Sequence, residues 1–426
     1  MHRFLIPGWR PFPAGLAVAA LTGACSSLLE VDVPSRVPVD AAIRPENAAI
    51  LMNSVIGEFE CAFAGAVVGG AALGDELANS STGNTLWQVD RRDMTSSSTI
   101  GTTGCGGLGP FGALSVTHWM ADEFRKALEG WTDTQVPNRR QFLARTAAYT
   151  GYVYLLLGET MCTATVNVGP ELSKTQLFAL AEGRFSAAIT EGSATNLADV
   201  RDMALVGRAR TRINAGNRTG AAADARLVPT GFVKNATFSA ASARRYNPVF
   251  NSGNQGGGYT VGPVYRGMTV SGVPDPRVPV TDARRPGQDG QSPLWLQGKY
   301  SALNSPIAIA KWQEARLIVA ETELEAGNLQ AAVAIINELH GRTTPPLPTF
   351  SSTSASEIRA QLIYERRAEL FLESQHLYDA TRFTLPFVPA IGAPFPLGGG
   401  FYGSQRCFFI PDVERNTNPN LSRSSG

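Results

Sequence analysis

Histidine is scarce in this chain of 426 residues: four occur, at positions 2, 118, 340 and 376, and they are scattered. No HExxH or GxSxG string is present, and no cysteine has CxxC or CxxH spacing. The common zinc and nucleophilic-serine signatures are thereby excluded, and no metal or cofactor is expected. The glycine-rich GTTGCGG at 101–107 lacks a following Lys-Ser/Thr pair, so it is no phosphate loop. An excess of either charge is also missing, since 37 Lys and Arg face 36 Asp and Glu without a long basic run. That excludes a nucleic-acid footprint. Glu and Lys are sparse for a helical protein while Gly (43) and Pro (27) are abundant, which predicts long irregular segments between helices. What is present is 43% hydrophobic residues, enough for one large core or two smaller ones.

The N-terminus has a weakly basic start (His2, Arg3, Arg10) followed by an apolar stretch from Ala14 to Thr22. At about nine residues it suits a secretory signal and is too short for a membrane span. Gly23 and Ala24 lead into Cys25, and this resembles the lipobox of bacterial lipoproteins, with Leu21 one residue further from the cysteine than usual. The expectation is a signal peptide over 1–24 and acylation of Cys25, whose two or three chains would anchor the protein stably. Cys61, Cys105, Cys162 and Cys407 remain, and in an exported protein they admit two disulfides in any of three connectivities. Sequence leaves all three open; pairing 61 with 105 and 162 with 407 is preferred because the second bridge would pin the tail.

Apolar residues recur at helical spacing over Pro45–Phe63, Leu114–Trp131 and Arg139–Glu159, and Ser173 is a plausible N-cap for a helix to Thr190. Residues 204–228 and 315–339 align without a gap, Ala215-Gly216-Asn217 falling on Ala326-Gly327-Asn328. A helix running into Ala-Gly-Asn and a second helix after it form a tetratricopeptide-type pair, which buries its faces by stacking. The reading is a mostly α-helical scaffold over 40–228 and 305–385, a loop-rich insertion over 229–304 and an irregular tail over 386–426.

The stretch LIYERRAELFLESQHLYDATRF, 362–383, reads as one closing helix. Ile363, Leu370 and Leu377 make one apolar stripe, Tyr364, Phe371 and Tyr378 a second, and Arg367 lies between them. A buried arginine needs a carboxylate, and Glu321 or Glu323 is the expected partner. Glu365, Glu369 and Glu373 share an arc with Arg366, and with Arg367 they read as a structural ion-pair lattice; no residue is assigned a catalytic role.

Several segments together resemble the SusD/RagB-like outer-membrane nutrient-binding lipoproteins: LLEVDVPSR after Cys25, the helix pair ending AETELEAGNLQAAVAIINELHGR, Asp275-Pro276-Arg277, ERRAELFLESQHLYDATRF, and IPDVERNTNPNL. In the fourth, the usual Gly is Ser374 and the usual Arg is His376; the chain also lacks a QNPGY-like ending. The resemblance implies a single domain over 25–426 whose loops bind an oligosaccharide or peptide. It implies an outer-membrane lipoprotein facing the cell exterior that passes its ligand to a SusC-like, TonB-dependent transporter, with no catalytic step.

Sugars stack on exposed aromatic faces with polar rims, which makes the loop aromatics Trp87, Tyr259, Tyr265, Trp295 and Tyr300 the candidate ligand contacts. Trp119, Trp131 and Trp312 fall on helices and are expected in the core. Two other readings compete: a periplasmic tetratricopeptide-type scaffold lipoprotein, and a secreted glycan hydrolase acting through Glu365 or Glu369.

Overall fold

The computed structural model describes residues 39–97, 100, 105, 107 and 109–422. The expected signal peptide over 1–24 and Cys25 lie outside them. A short helix α1 (Val39–Ala42) belongs to the unit Met1–Arg44, and everything from Pro45 onward forms a second unit.

The centre of that second unit is α2 (Ala48–Leu73), whose Ala- and Gly-rich sequence allows close packing on two neighbours, α4 (Pro110–Gly130) and α5 (Arg139–Thr160). By length and composition α2 could cross a membrane, but 83% of its apolar window is buried inside the fold, which is how a core helix behaves. Between α2 and α4 stands α3 (Asn84–Arg91).

From α5 the chain stacks helices in sequence: α6 (Lys174–Ala194), α7 (Ala198–Asn214) and α8 (Arg218–Ala225), then α9 (Trp312–Glu325), α10 (Leu329–His340) and α11 (Ala355–Glu369). Each packs on its predecessor. Ser173 caps α6 as expected, its hydroxyl accepting from the Gln176 backbone while the Gln176 side chain accepts from the Ser173 N–H, at 2.8 Å. Gly216 and Gly327 close the first helix of each aligned pair at φ of 84° and 80°, a conformation that glycine alone adopts freely. The two pairs meet through α8 and α9, so the repeat is the stacking unit.

The insertion contributes short antiparallel ladders. β1 (Leu77–Asn79) pairs with β3 (Tyr259–Val261), and β2 (Val233–Ala236) with β8 (Ile307–Lys311). β4 (Thr269–Val270) pairs with β5 (Val273–Pro274), and β6 (Val280–Pro286) with β7 (Pro293–Gln297).

The closing stretch is not one helix. Helix α11 stops at Glu369, a turn follows with Leu372 at φ 57° and Ser374 at φ 67°, and α12 runs from His376 to Arg382. Tertiary partners take over the turn's backbone groups. Lys311 Nζ donates to the Glu369 carbonyl at 2.7 Å, Lys299 Nζ to that of Phe371 at 2.7 Å, and Tyr300 Oη to that of Leu372 at 3.1 Å. The Leu372 N–H donates to Glu76 at 2.8 Å, and burial pushes this carboxyl up to about 7. The left-handed backbone explains why a glycine would suit position 374. Ser374 is buried, and its hydroxyl has no hydrogen-bond partner. Ser374→Gly relieves both defects against the higher unfolded-state entropy of glycine, so a net gain of about 1 kcal/mol is expected. A urea midpoint lower than wild type would contradict this.

The tail after α12 returns along the body and carries α13 (Asp412–Thr417). Cys162 is bonded to Cys407 and Cys61 to Cys105. Near the tail, the buried Arg92 guanidinium lies 4.9 Å from the Phe387 ring and 4.8 Å from that of Tyr402.

Candidate ligand-binding site

Midway along α2, Cys61, Ala64, Gly65 and Val68 form one wall of a cavity of about 120 Å³. The helix must be bare here, because a Cβ on Gly65 would stand 2.9 Å from the Gly107 carbonyl, beside the Cys61–Cys105 bridge. The opposite wall is the segment 237–252, which α2 holds down with two carboxylates. Glu58 pairs with Arg244; Glu60 accepts from Arg245 at 2.8 Å and from the Thr237 N–H at 2.9 Å. Asn247, fully buried, fixes the next turn by donating to the Ser305 carbonyl at 2.8 Å and accepting from the Phe250 N–H at 3.1 Å.

Residues Phe250–Gln255 form a π-helical turn, a rare conformation frequent at functional sites. It brings Asn251 and Ser252 to the cavity, where they meet Phe238, Tyr246 and Pro248. None of the Tyr246, Asn251 and Ser252 side chains hydrogen-bonds to a described residue. The site thus has half-buried aromatic surface, a phenol, a carboxamide and a hydroxyl, the three polar groups without partners among the described residues. Such a combination can stack on an apolar ring face and exchange hydrogen bonds with hydroxyls. The sequence gives little sign of it. Tyr246 and Asn251 sit in YNPVFNSGNQGGG, a run without periodicity that reads only as loop.

The five loop aromatics singled out in the sequence lie elsewhere. Tyr259, Tyr265 and Tyr300 are core residues, at 4%, 0% and 4% exposure, so none can offer a face to a ligand. Tyr259 is fixed in the β1–β3 ladder, Tyr265 stacks on Phe371 with ring centroids 4.8 Å apart, and Tyr300 serves the 370–375 turn. The insertion is ladder-forming and folds these three tyrosines inward. Trp87 and Trp295 are half-buried in separate places. The Trp87 indole donates to the Ser81 carbonyl at 2.9 Å and packs on Phe395, while Arg266 covers Trp295 at 5.2 Å. Trp312 is buried as expected, but Trp119 on α4 is 46% exposed, contrary to its expected place in the core.

The carboxylates of the closing stretch face cations. Glu365 meets Arg277 at 2.6 Å and His340 at 2.8 Å; Glu369 meets Lys311 at 3.1 Å; Glu373 meets Lys299 at 2.7 Å and Lys311 at 2.8 Å. Burial alone would lower the His340 pKa, but the Glu365 carboxylate and the Pro348 carbonyl face its two nitrogens and raise it. Arg366 forks onto Asp379 at 2.8 and 2.9 Å. Arg367 does not join the lattice. Glu321 is taken by Arg382 and Glu323 by Arg226. The half-buried Arg367 guanidinium lies 5.9 Å from the Tyr265 ring, and its Nε has no hydrogen-bond partner. The expected pairing fails because it assumed an unbroken helix. Among the described residues no cluster of His, Cys, Asp or Glu could hold a metal ion.

Residues 314–423 match the SusD family. A search of curated proteins returns no match. Among solved structures, a SusD superfamily protein from Bacteroides vulgatus superposes with a TM-score of 0.67 at 15% identity, over 89% of this chain and 98% of its own. A SusD-like carbohydrate-binding protein from the same organism gives 0.60 at 15% identity, over 89% and 97%. Another SusD-like carbohydrate-binding protein, from Bacteroides fragilis, gives 0.61 at 13% identity, over 88% and 99%. The chain is SusD/RagB-like, in fold over 89% of its length and in sequence over residues 314–423.

Proposed function

We propose that this chain is a non-enzymatic binding protein that captures an oligosaccharide at the outer membrane and passes it to a TonB-dependent transporter. The observation that carries the reading is the α2 cavity, with aromatic walls and three polar side chains that have no hydrogen-bond partner among the described residues, within a SusD-type fold. Two solved relatives of that fold are described as carbohydrate-binding. The lipobox-like Cys25 supports an anchored, exported chain. A hydrolase reading has little to rest on, because Glu365, Glu369 and Glu373 are each engaged by cations.

Binding is tested by titrating the mature protein with oligosaccharide and peptide panels. Oligosaccharides are expected to bind. Tyr246→Ala is expected to weaken that binding about tenfold, near 1.4 kcal/mol, with an unchanged melting curve. Unchanged affinity in Tyr246→Ala would remove the cavity from the binding site, and binding of peptides alone would replace the ligand class. Location is tested separately by protease treatment of intact cells: a fully resistant domain would place the protein on the periplasmic side and favour a scaffold.

A further inference from the structure

Arg244 is the one charged residue lining the α2 cavity among the described residues, and its charge is already paired. Its guanidinium is paired with Glu58, one turn before Cys61 on the same helix wall. Glu58 is largely shielded, at 13% side-chain exposure, while Arg244 is 58% exposed. The neighbouring Arg245 is likewise committed, to Glu60 and to the Thr237 carbonyl at 2.8 Å. The remaining lining is apolar, aromatic, amide or hydroxyl.

We infer that the site selects uncharged sugars, and that Glu58 is the residue that sets this by cancelling Arg244. The inference rests on the oligosaccharide-binding reading. A neutral pyranose has what the cavity complements: an apolar face for Phe238 and Tyr246, and hydroxyls for Asn251 and Ser252. A uronate or sulfate entering the same space meets only a cation that Glu58 already compensates. It either displaces Glu58 from Arg244 or sits beside that carboxylate, and both are unfavourable. Discrimination therefore comes from a repulsive group as well as from attractive ones.

The test compares neutral cello-, malto-, manno- and xylo-oligosaccharides with oligoglucuronate, oligomannuronate and oligogalacturonate. Wild type is expected to bind at least one neutral series, with every uronate series at least about tenfold weaker. Glu58→Gln frees the Arg244 cation. It is expected to narrow that gap about fivefold at low ionic strength, and the gain should vanish in concentrated salt, where exposed charges are screened. A wild type that binds uronates as well as or better than neutral sugars overturns the inference while leaving glycan binding intact. So does a folded Glu58→Gln protein with an unchanged ratio. If that variant does not fold, the wild-type comparison decides alone. Binding of neither class overturns the oligosaccharide reading and this inference with it.

Discussion

Arg277→Ala is expected to destabilise the fold by about 3–5 kcal/mol, the range for removing one partner from a buried ion pair. Arg277 donates to Asp275 through Nε at 3.0 Å and Nη2 at 2.7 Å, and to Glu365 through Nη1 at 2.6 Å. A third carboxylate, Glu369, stands 3.7 Å away. The side chains of Asp275 and Glu365 are 0% exposed, so neither can recover water when the guanidinium is lost. Despite the cost of its own burial, these carboxylates hold the guanidinium pKa above its usual value. His340 and Gln361 remain on Glu365, at 2.8 and 2.6 Å, and Tyr364 on Asp275 at 3.1 Å, which keeps the loss from being larger. Arg277→Lys should fall between, because a point charge cannot fork across two carboxylates. Arg367→Ala is the internal control: with an aromatic ring as its described contact, about 0.5–1 kcal/mol is expected. Urea unfolding ranks the three, and an Arg277→Ala protein within about 1 kcal/mol of wild type would refute the buried-lattice account.

That ranking puts Arg367, the arginine the sequence singles out, below Arg277, and the reason is specific. A helical projection drawn through 362–383 puts Arg367 on the apolar face, but the projection holds only to Glu369, where α11 ends. Beyond it the carbonyls of Glu369, Phe371 and Leu372 are claimed by Lys311, Lys299 and Tyr300, residues 58 to 72 positions away. No local pattern encodes those partners. The Arg277–Glu365 pair spans 88 positions and joins two short motifs that read separately as DPR and ERR.

The stacked helix pairs were legible for the opposite reason. Their signals are local: an Ala-Gly-Asn turn whose glycine must be left-handed, small residues between helices, and a Ser173 cap three residues before Gln176. The ligand cavity was not legible, because its walls come from the middle of α2 and from 237–252. Glu58 and Glu60 join these walls across about 185 residues. Composition favoured the aromatics of 259–300, yet strand pairing turns Tyr259 inward and the 370–375 turn recruits Tyr300.

Phe185→Ala is expected to cost about 3–5 kcal/mol, as large for the helical stack as Arg277→Ala is for the polar lattice. Phe185 lies on α6, fully buried, with its ring edge-on to Tyr152 at 4.9 Å. Two glycines make the space it fills. A Cβ on Gly151 of α5 would fall 2.7 Å from the ring, and one on Gly207 of α7 would fall closer still. Three consecutive helices therefore share one aromatic, and their spacing depends on both small positions and the large one. Gly207→Ala should destabilise too, by about 1–3 kcal/mol, through overpacking against a ring that cannot move. The two sites touch, so their effects should not add. Combining Gly207→Ala with Phe185→Leu, whose smaller side chain vacates the contested space, is expected to cost less than the sum of the single changes. Strict additivity in urea unfolding would show that the ring and the glycines are not coupled, and that the α5–α6–α7 spacing is set by other contacts.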